Sequence, residues 1–270
     1  FKKKTNNIRV IVSDNASPLD EALEIDFPDF SFRKNAINMS GNANIANGFV
    51  SPFLSNYLWI LSDDDFVEGS YLKNLEKYLI NNDSDFIIFD PDSVKSTSEI
   101  VKRNDMKFIW KKGLISNCIY KVNNFKNFGV VPFSYHNSSF PHLAMALKII
   151  CSKNELKYTI LPREKYFKNP QFRKRYNERT DLYLISENGM PLLIELMPEE
   201  FGRRYALRWF INRGFKTINI TPDYYGTSLK TVRTKSYSIL KSKLGLVFYP
   251  IWLFSVFKYI AWQIYRFSKK

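Results

Sequence analysis

The apolar run Tyr57-Leu-Trp-Ile-Leu61, followed at once by Ser62-Asp63-Asp64-Asp65, constrains this chain more than any other stretch. A near-continuous apolar run of this length reads as a strand buried on both faces, as a central parallel strand requires. Three adjacent carboxylates at its end repel one another and need a cation or solvent to relieve that repulsion. Two readings stand on the triplet alone. Ser and Asp are good helix N-caps, and acids suit the first turn of a helix. Alternatively, the oxygens form a ligand set for a hard cation, Mg²⁺ or Mn²⁺, which can bridge a diphosphate.

The rest of the chain supplies the frame. Ile8-Arg-Val-Ile-Val12 is a β-branched run entering the polar turn Ser13-Asp14-Asn15-Ala16-Ser17-Pro18. Pro18 to Leu23 suits a short helix, and Ser31-Phe32-Arg33 a second short strand. The Asn-rich stretch from Asn35 to Asn47 reads as a loop, and Ala43 to Ser55 as a helix with Pro52 near its boundary. Val67 to Ile80 is an amphipathic helix with Tyr71, Leu75 and Leu79 on one side. Asp85 to Phe89, Ile115 to Tyr120 and Tyr158 to Leu161 are further strands, and Ser139 to Cys151 an apolar helix. Strands alternating with helices predict an α/β fold with a mostly parallel sheet, whose active site lies at the carboxyl ends of the strands. Asp14 and the triplet lie just past two such ends, and Asp90 past a third. The second acidic strand end at Asp14 tips the triplet toward a ligand site.

At this point the residues resemble a family. Ile8 to Ser17 looks like the strand and turn of family 2 glycosyltransferases with the GT-A (Rossmann-like) fold. Asn38 through Asn44 resembles that family's Asn- and Gly-containing donor segment, and Tyr57 to Asp65 its strand ending in the DXD motif. Order and spacing agree over about residues 8 to 160. The nearest subgroup in wording is the abequosyltransferase-like enzymes of O-antigen and surface polysaccharide synthesis. The resemblance implies that Asp14, with Asn15 beside it, contacts the nucleotide base or ribose. It implies that Asp63 lies near the donor ribose or phosphate, that Asn44 helps hold the donor, and that Asp64 and Asp65 serve Mn²⁺ or Mg²⁺. Three departures stand out. Position 40 is Ser where the family often has Gly, no Arg precedes Asn44, and the family's first strand is not seen, so the chain reads as starting downstream of it.

Inverting members take their base from a later acidic pair at a helix start. The matching place here, Ser139-Phe-Pro-His-Leu143, holds no acid. His142 is the substitute, since histidine titrates near neutral pH and can accept an acceptor hydroxyl's proton; a structural histidine is the other reading. His136 is a weaker candidate. Asn117, in the Ser116-Asn117 turn, is a candidate contact for the acceptor, beside a plain loop role.

The formal net charge of +14 attracts polyanions: nucleic acid, anionic lipid or phosphorylated substrates. No RNP, zinc-finger or helix-turn-helix signature accompanies it, which argues against a nucleic-acid partner. Cys118 and Cys151 lack disulfide or zinc spacing and read as reduced, buried thiols. From about Tyr176 the pattern turns helical, with Pro198 to Asn212 a candidate. The expected organisation is a catalytic domain over 1–175, a helical extension over 176–235 and a basic aromatic tail over 236–270.

The charge-free run from Leu244 to Phe257 is shorter than the ~20 apolar residues a spanning helix needs. On a helical wheel, Lys258, Arg266, Lys269 and Lys270 share one sector, while Leu253, Phe257, Ile260, Ile264 and Phe267 lie opposite. That pattern suits a helix lying in an anionic membrane interface, or one docked on a protein surface. The expectation is therefore a peripheral enzyme on the cytoplasmic face of the bacterial inner membrane. It would move a sugar from a nucleotide-sugar donor to a glycan or a polyprenyl-diphosphate-linked acceptor. A nucleic-acid-binding protein and an inactive membrane-bound scaffold of the same fold are the alternatives.

Overall fold

The computed structural model describes residues 7–18, 29–50, 55–62, 65, 67–90, 93–102, 115–138, 140–162, 190–207 and 229–268. Strands β1 (Val10–Asp14) and β2 (Phe30–Lys34) pair in parallel, with Asp14 opposite Lys34. A five-stranded sheet follows, built from β3 (Tyr57–Trp59), β4 (Phe86–Asp90), β5 (Thr97–Lys102), β6 (Cys118–Lys121) and β7 (Glu155–Pro162). Its order is β3-β6-β4-β7-β5. β4 and β7 pair in parallel, whereas β6 runs antiparallel to both β3 and β4, and β5 antiparallel to β7. It follows that β3, β4 and β7 share one direction and end at the same edge, and that β6 begins there.

The two faces of β4 explain the core. Successive side chains point to opposite sides of a sheet. Phe86 and Ile88 join one apolar cluster, Ile87 and Phe89 the other, all at most 3% exposed. Helix α2 (Gly69–Asn81) covers the second face, with Leu75 buried and Tyr78 and Leu79 packed beside it. Helices α1 (Gly41–Gly48) and α4 (Pro141–Ser152) contribute to the first cluster, and α3 (Val130–Ser134) packs there too. Every residue of α4 from Pro141 to Leu147 is buried. An apolar helix with no solvent face needs cover on both sides. The sheet gives one, and the 3₁₀ turn Met190–Leu196 gives the other through Leu192, Leu193 and Ile194. A helix over 199–207 (α5) follows, then α6 (Leu229–Leu244) and α7 (Phe248–Ser268). Ile239, Leu240, Leu244 and Phe248 belong to the same first cluster.

Several expectations shift. Among the described residues the apolar run at Tyr57 forms not a central strand but an edge of the five-stranded sheet, paired with β6 alone. Its continuity follows from cover on both faces: Leu58 packs on one cluster, Tyr57 and Trp59 on the other. The first strand runs two residues later than Ile8–Val12, so Asp14 is its last residue. The second half of the Asn-rich stretch is helical, and that helix ends at Gly48 rather than continuing to Ser55. Ile115–Asn117 is a 3₁₀ turn ahead of β6. Cys151 is only partly buried, and neither cysteine forms a disulfide. The expected helix at Pro18 to Leu23 lies almost wholly outside the described residues, as does the part of Pro198–Asn212 beyond Leu207.

Candidate functional site

Two polar clusters form at carboxyl ends of strands. The first is made of amides. At the end of β1, Ser13 Oγ donates to Asn44 Oδ1 at 2.9 Å, and Asn44 Nδ2 donates back to the Ser13 carbonyl at 3.3 Å. Asn35 Nδ2, just past β2, donates to Asn44 Oδ1 at 2.9 Å and to Asn15 Oδ1 at 3.3 Å. Asn15 Nδ2 donates to Asn38 Oδ1 at 2.9 Å, and the Met39 N–H donates to Asn15 Oδ1, also at 2.9 Å. Parallel pairing of β1 and β2 is what brings Asn15 and Asn35 side by side, since a parallel pair ends both strands at one edge.

Asp14 closes the turn beyond β1. Its Oδ1 accepts the Ser17 hydroxyl at 2.6 Å and the Ser17 N–H at 2.9 Å. The Ser17 hydroxyl first, then the Ser17 N–H, hold this carboxyl below its usual range, so it is anionic at neutral pH. Two residues here have backbones that favour glycine. Ala16 has φ 61°, and Ser40, at the N-terminus of α1, has φ 73° and ψ 157°. The second combination is occupied almost solely by glycine. Ser40 therefore keeps the backbone shape that the resemblance associates with Gly at this position.

The second cluster lies where β3 ends and β6 begins. Asp65 Oδ2 accepts the Ser62 N–H at 3.0 Å and the Ser116 hydroxyl. Ser116 Oγ in turn accepts the Ser62 N–H at 3.2 Å, and Trp59 Nε1 donates to the Ser116 carbonyl at 2.8 Å. Asp63 and Asp64 lie outside the described residues. Asn117 is 4% exposed, and its Oδ1 is a buried acceptor with no hydrogen-bond partner among the described residues. An acceptor in that condition carries a desolvation cost of about 1–3 kcal/mol that a ligand hydroxyl can relieve.

His142 lies at the start of a buried helix. It is the second residue of α4 and only 3% exposed. Its ring meets Phe140 edge-on at 6.0 Å, and Tyr120 donates its hydroxyl to the His142 carbonyl at 3.0 Å. The burial of α4 all round is the reason. His136 is partly buried, with Nδ1 2.6 Å from the Phe133 carbonyl.

Sequence reading missed Ser13, Asn35, Asn38, Ser62 and Ser116. The Asn-rich composition hinted at Asn35 and Asn38; nothing local singles out Ser116, which reaches Asp65 across 51 positions. An open cleft of 670 Å³, lined by Asn56, Asn123, Lys126 and Asn127 among others, lies where β3 begins and β6 ends, at the opposite edge from these clusters.

As to a cation, no group of three or more His, Cys, Asp or Glu suited to a metal occurs among the described residues. The donor set is oxygen only, and Asp65 is oriented by Ser62 and Ser116 in the way that supporting hydrogen bonds orient metal-bound carboxylates. That chemistry fits Mg²⁺ or Mn²⁺.

No family model matches this chain, and no curated protein does. Among solved structures it is similar to residues 1–349 of S. aureus TarS. The TM-score is 0.57 at 12% identity, over 93% of this chain and 75% of that one. The same TarS fragment in complex with UDP gives 0.56 at the same identity and coverage. At this identity the likeness establishes architecture: this chain is an α/β protein with the GT-A glycosyltransferase fold that TarS also has.

Proposed function

We propose that this chain transfers a sugar from a nucleoside diphosphate donor to a hydroxyl of a surface glycan or its lipid-linked precursor. One observation carries the reading. The amide cluster around Asn44 and the Ser62–Asp65–Ser116 cluster stand at carboxyl strand ends, in a fold shared with a protein that was solved with UDP. Ligands in open α/β sheets bind at that edge.

In this reading Asp14 and Asn15 face the base and ribose of a uridine nucleotide. Asn44, fixed from two sides, holds the donor. Asp63 lies near the ribose or phosphate, and Asp64 and Asp65 hold Mg²⁺ or Mn²⁺. When bound, that cation offsets charge on the departing diphosphate. Asn117 Oδ1 receives a hydrogen bond from the acceptor hydroxyl, which attacks the anomeric carbon in line with the leaving group and inverts its configuration. His142 is the proposed base. Its burial means that the acceptor must displace what covers the start of α4 before a proton can move. The motif wording Ser13-Asp14-Asn15-Ala16-Ser17 favours the abequosyltransferase-like subgroup of polysaccharide synthesis.

The test is UDP release from a panel of UDP-sugars with Mn²⁺, across glycan and lipid-linked acceptors. Release that Asp65→Asn removes supports the reading. The burial of His142 favours one alternative, a donor-binding scaffold without turnover. Metal-dependent UDP-sugar binding with no release across the panel would select it.

A further inference from the structure

Helix α7 turns its apolar side away from the protein. Its first turn is anchored, with Phe248 buried in the core and Ile251 packed against it. Beyond that turn Leu253, Phe257, Ile260 and Ile264 are exposed, Phe257 at 62% and Ile264 at 64%. At ~100° per residue these four fall within a sector of roughly 60°, centred about 180° from the Phe248–Ile251 side. A surface helix ordinarily lays its apolar stripe on its own domain. Here the anchoring side and the apolar stripe are different faces, and the stripe is a contiguous exposed patch of the kind that marks an interaction site.

Charge and aromatic placement select the occupant. Trp252, 40% exposed, and Tyr265, 56% exposed, flank the stripe at roughly 110° on either side. Rings with one apolar and one polar end are enriched at headgroup depth. Lys241 on α6 holds its Nζ 5.3 Å from the centroid of the exposed Tyr249 ring, so a cation sits at the edge of this surface. Lys235, also on α6, is exposed as well. The chain carries +14 overall. A second protein surface would not require this cationic surround. At 21 residues α7 has the length to span a bilayer, yet no described helix is long and apolar enough to cross one.

We propose that α7 lies in the plane of an anionic bilayer surface, with Leu253, Phe257, Ile260 and Ile264 in the acyl boundary and Trp252 and Tyr265 at headgroup level. This goes beyond the donor-site reading and does not depend on it. It places the protein on a membrane leaflet rich in acidic lipid, where basic side chains are attracted.

The test is flotation of the intact chain with vesicles of phosphatidylethanolamine and phosphatidylglycerol, against vesicles of phosphatidylcholine alone. The chain floats with the anionic vesicles, and less so at high salt. The double substitution Phe257→Glu with Ile264→Glu lowers the bound fraction by at least about tenfold. Because both side chains are exposed, the circular dichroism spectrum and Tm stay as in the parent. Three results overturn the proposal: no flotation with the anionic vesicles, equal flotation with phosphatidylcholine, or flotation that the double substitution leaves intact. A parent that ignores vesicles but forms dimers dispersed by the same substitution also overturns it, and assigns the stripe to a second copy.

Discussion

Ser13 Oγ donates to Asn44 Oδ1 at 2.9 Å across 31 positions of sequence, and Asn44 returns a bond to the Ser13 backbone. This pair ties the end of β1 to the first turn of α1. Both elements carry residues assigned to the donor, so the pair is where fold and proposed function meet.

Asn44→Ala removes an acceptor used twice and a donor used once. Exposed Ser13 and half-buried Asn35 then lose a partner. Denaturant unfolding should show a loss of about 0.5–1.5 kcal/mol. UDP affinity, measured by calorimetry, should fall roughly tenfold, equivalent to about 1.4 kcal/mol. Unchanged affinity would separate the amide cluster from donor binding.

Ser40→Gly should stabilise the protein. Serine holds a backbone shape there that costs of order 1–3 kcal/mol for any residue with a Cβ. Glycine relieves that strain while losing about 0.5–1 kcal/mol through its freer unfolded chain. The expected net is a gain of about 1 kcal/mol in urea denaturation. A loss would mean that the Ser40 side chain matters more than its backbone.

Asp85 predicts an acid-sensitive contact. Burial alone would raise its pKa, but bonds from Lys153 Nζ at 2.7 Å, the Lys157 N–H at 3.0 Å and Asn124 Nδ2 at 2.9 Å outweigh that and lower it. A carboxylate with a depressed folded pKa contributes stability above its unfolded value, here the usual 3.8, and loses it as pH falls through the folded value. Asp85→Asn should therefore cost about 1–3 kcal/mol at pH 7. The gap from the parent should narrow steadily below about pH 4. Denaturation curves at pH 7 and pH 3 check both halves.

His142→Gln separates a base from a core residue. If His142 takes the acceptor proton, kcat falls by about 10²- to 10⁴-fold while UDP binding is retained. The shape of the pH–rate profile changes with it. A variant with parental turnover removes the base role, and one that loses Tm without a change in the profile shape makes His142 structural.

Much of the frame was legible because burial imposes periodicity. β4 and β7 are apolar runs covered on both faces, and α2 carries its stripe at Leu75 and Leu79. β5 escaped because Thr97–Lys102 is a polar edge strand whose pattern no core enforces. α3 escaped because Val130–Ser134 is only five residues long, too short to show a helical period. The edge position of β3 was not legible either, since a run half-buried on two faces does not say how many strands lie beside it. For the site, the acidic strand ends at Asp14 and Asp65 could be read directly. Their partners could not. Ser116 meets Asp65 only because β6 runs antiparallel beside β3, and Asn35 meets Asn15 only because β1 and β2 end together. The setting of His142 was misleading for a related reason. A helix start looks open in sequence, but α4 is covered on every side.

The most direct measurement of the central claim is the thermal shift of this chain with UDP, with and without Mn²⁺, in the parent and in Asp65→Asn. The account predicts a rise in Tm with UDP that needs Mn²⁺ and is lost in Asp65→Asn, whose own Tm without ligand stays within a few degrees of the parent. No shift with any nucleoside diphosphate, or a metal-dependent shift that Asp65→Asn leaves unchanged, would contradict it.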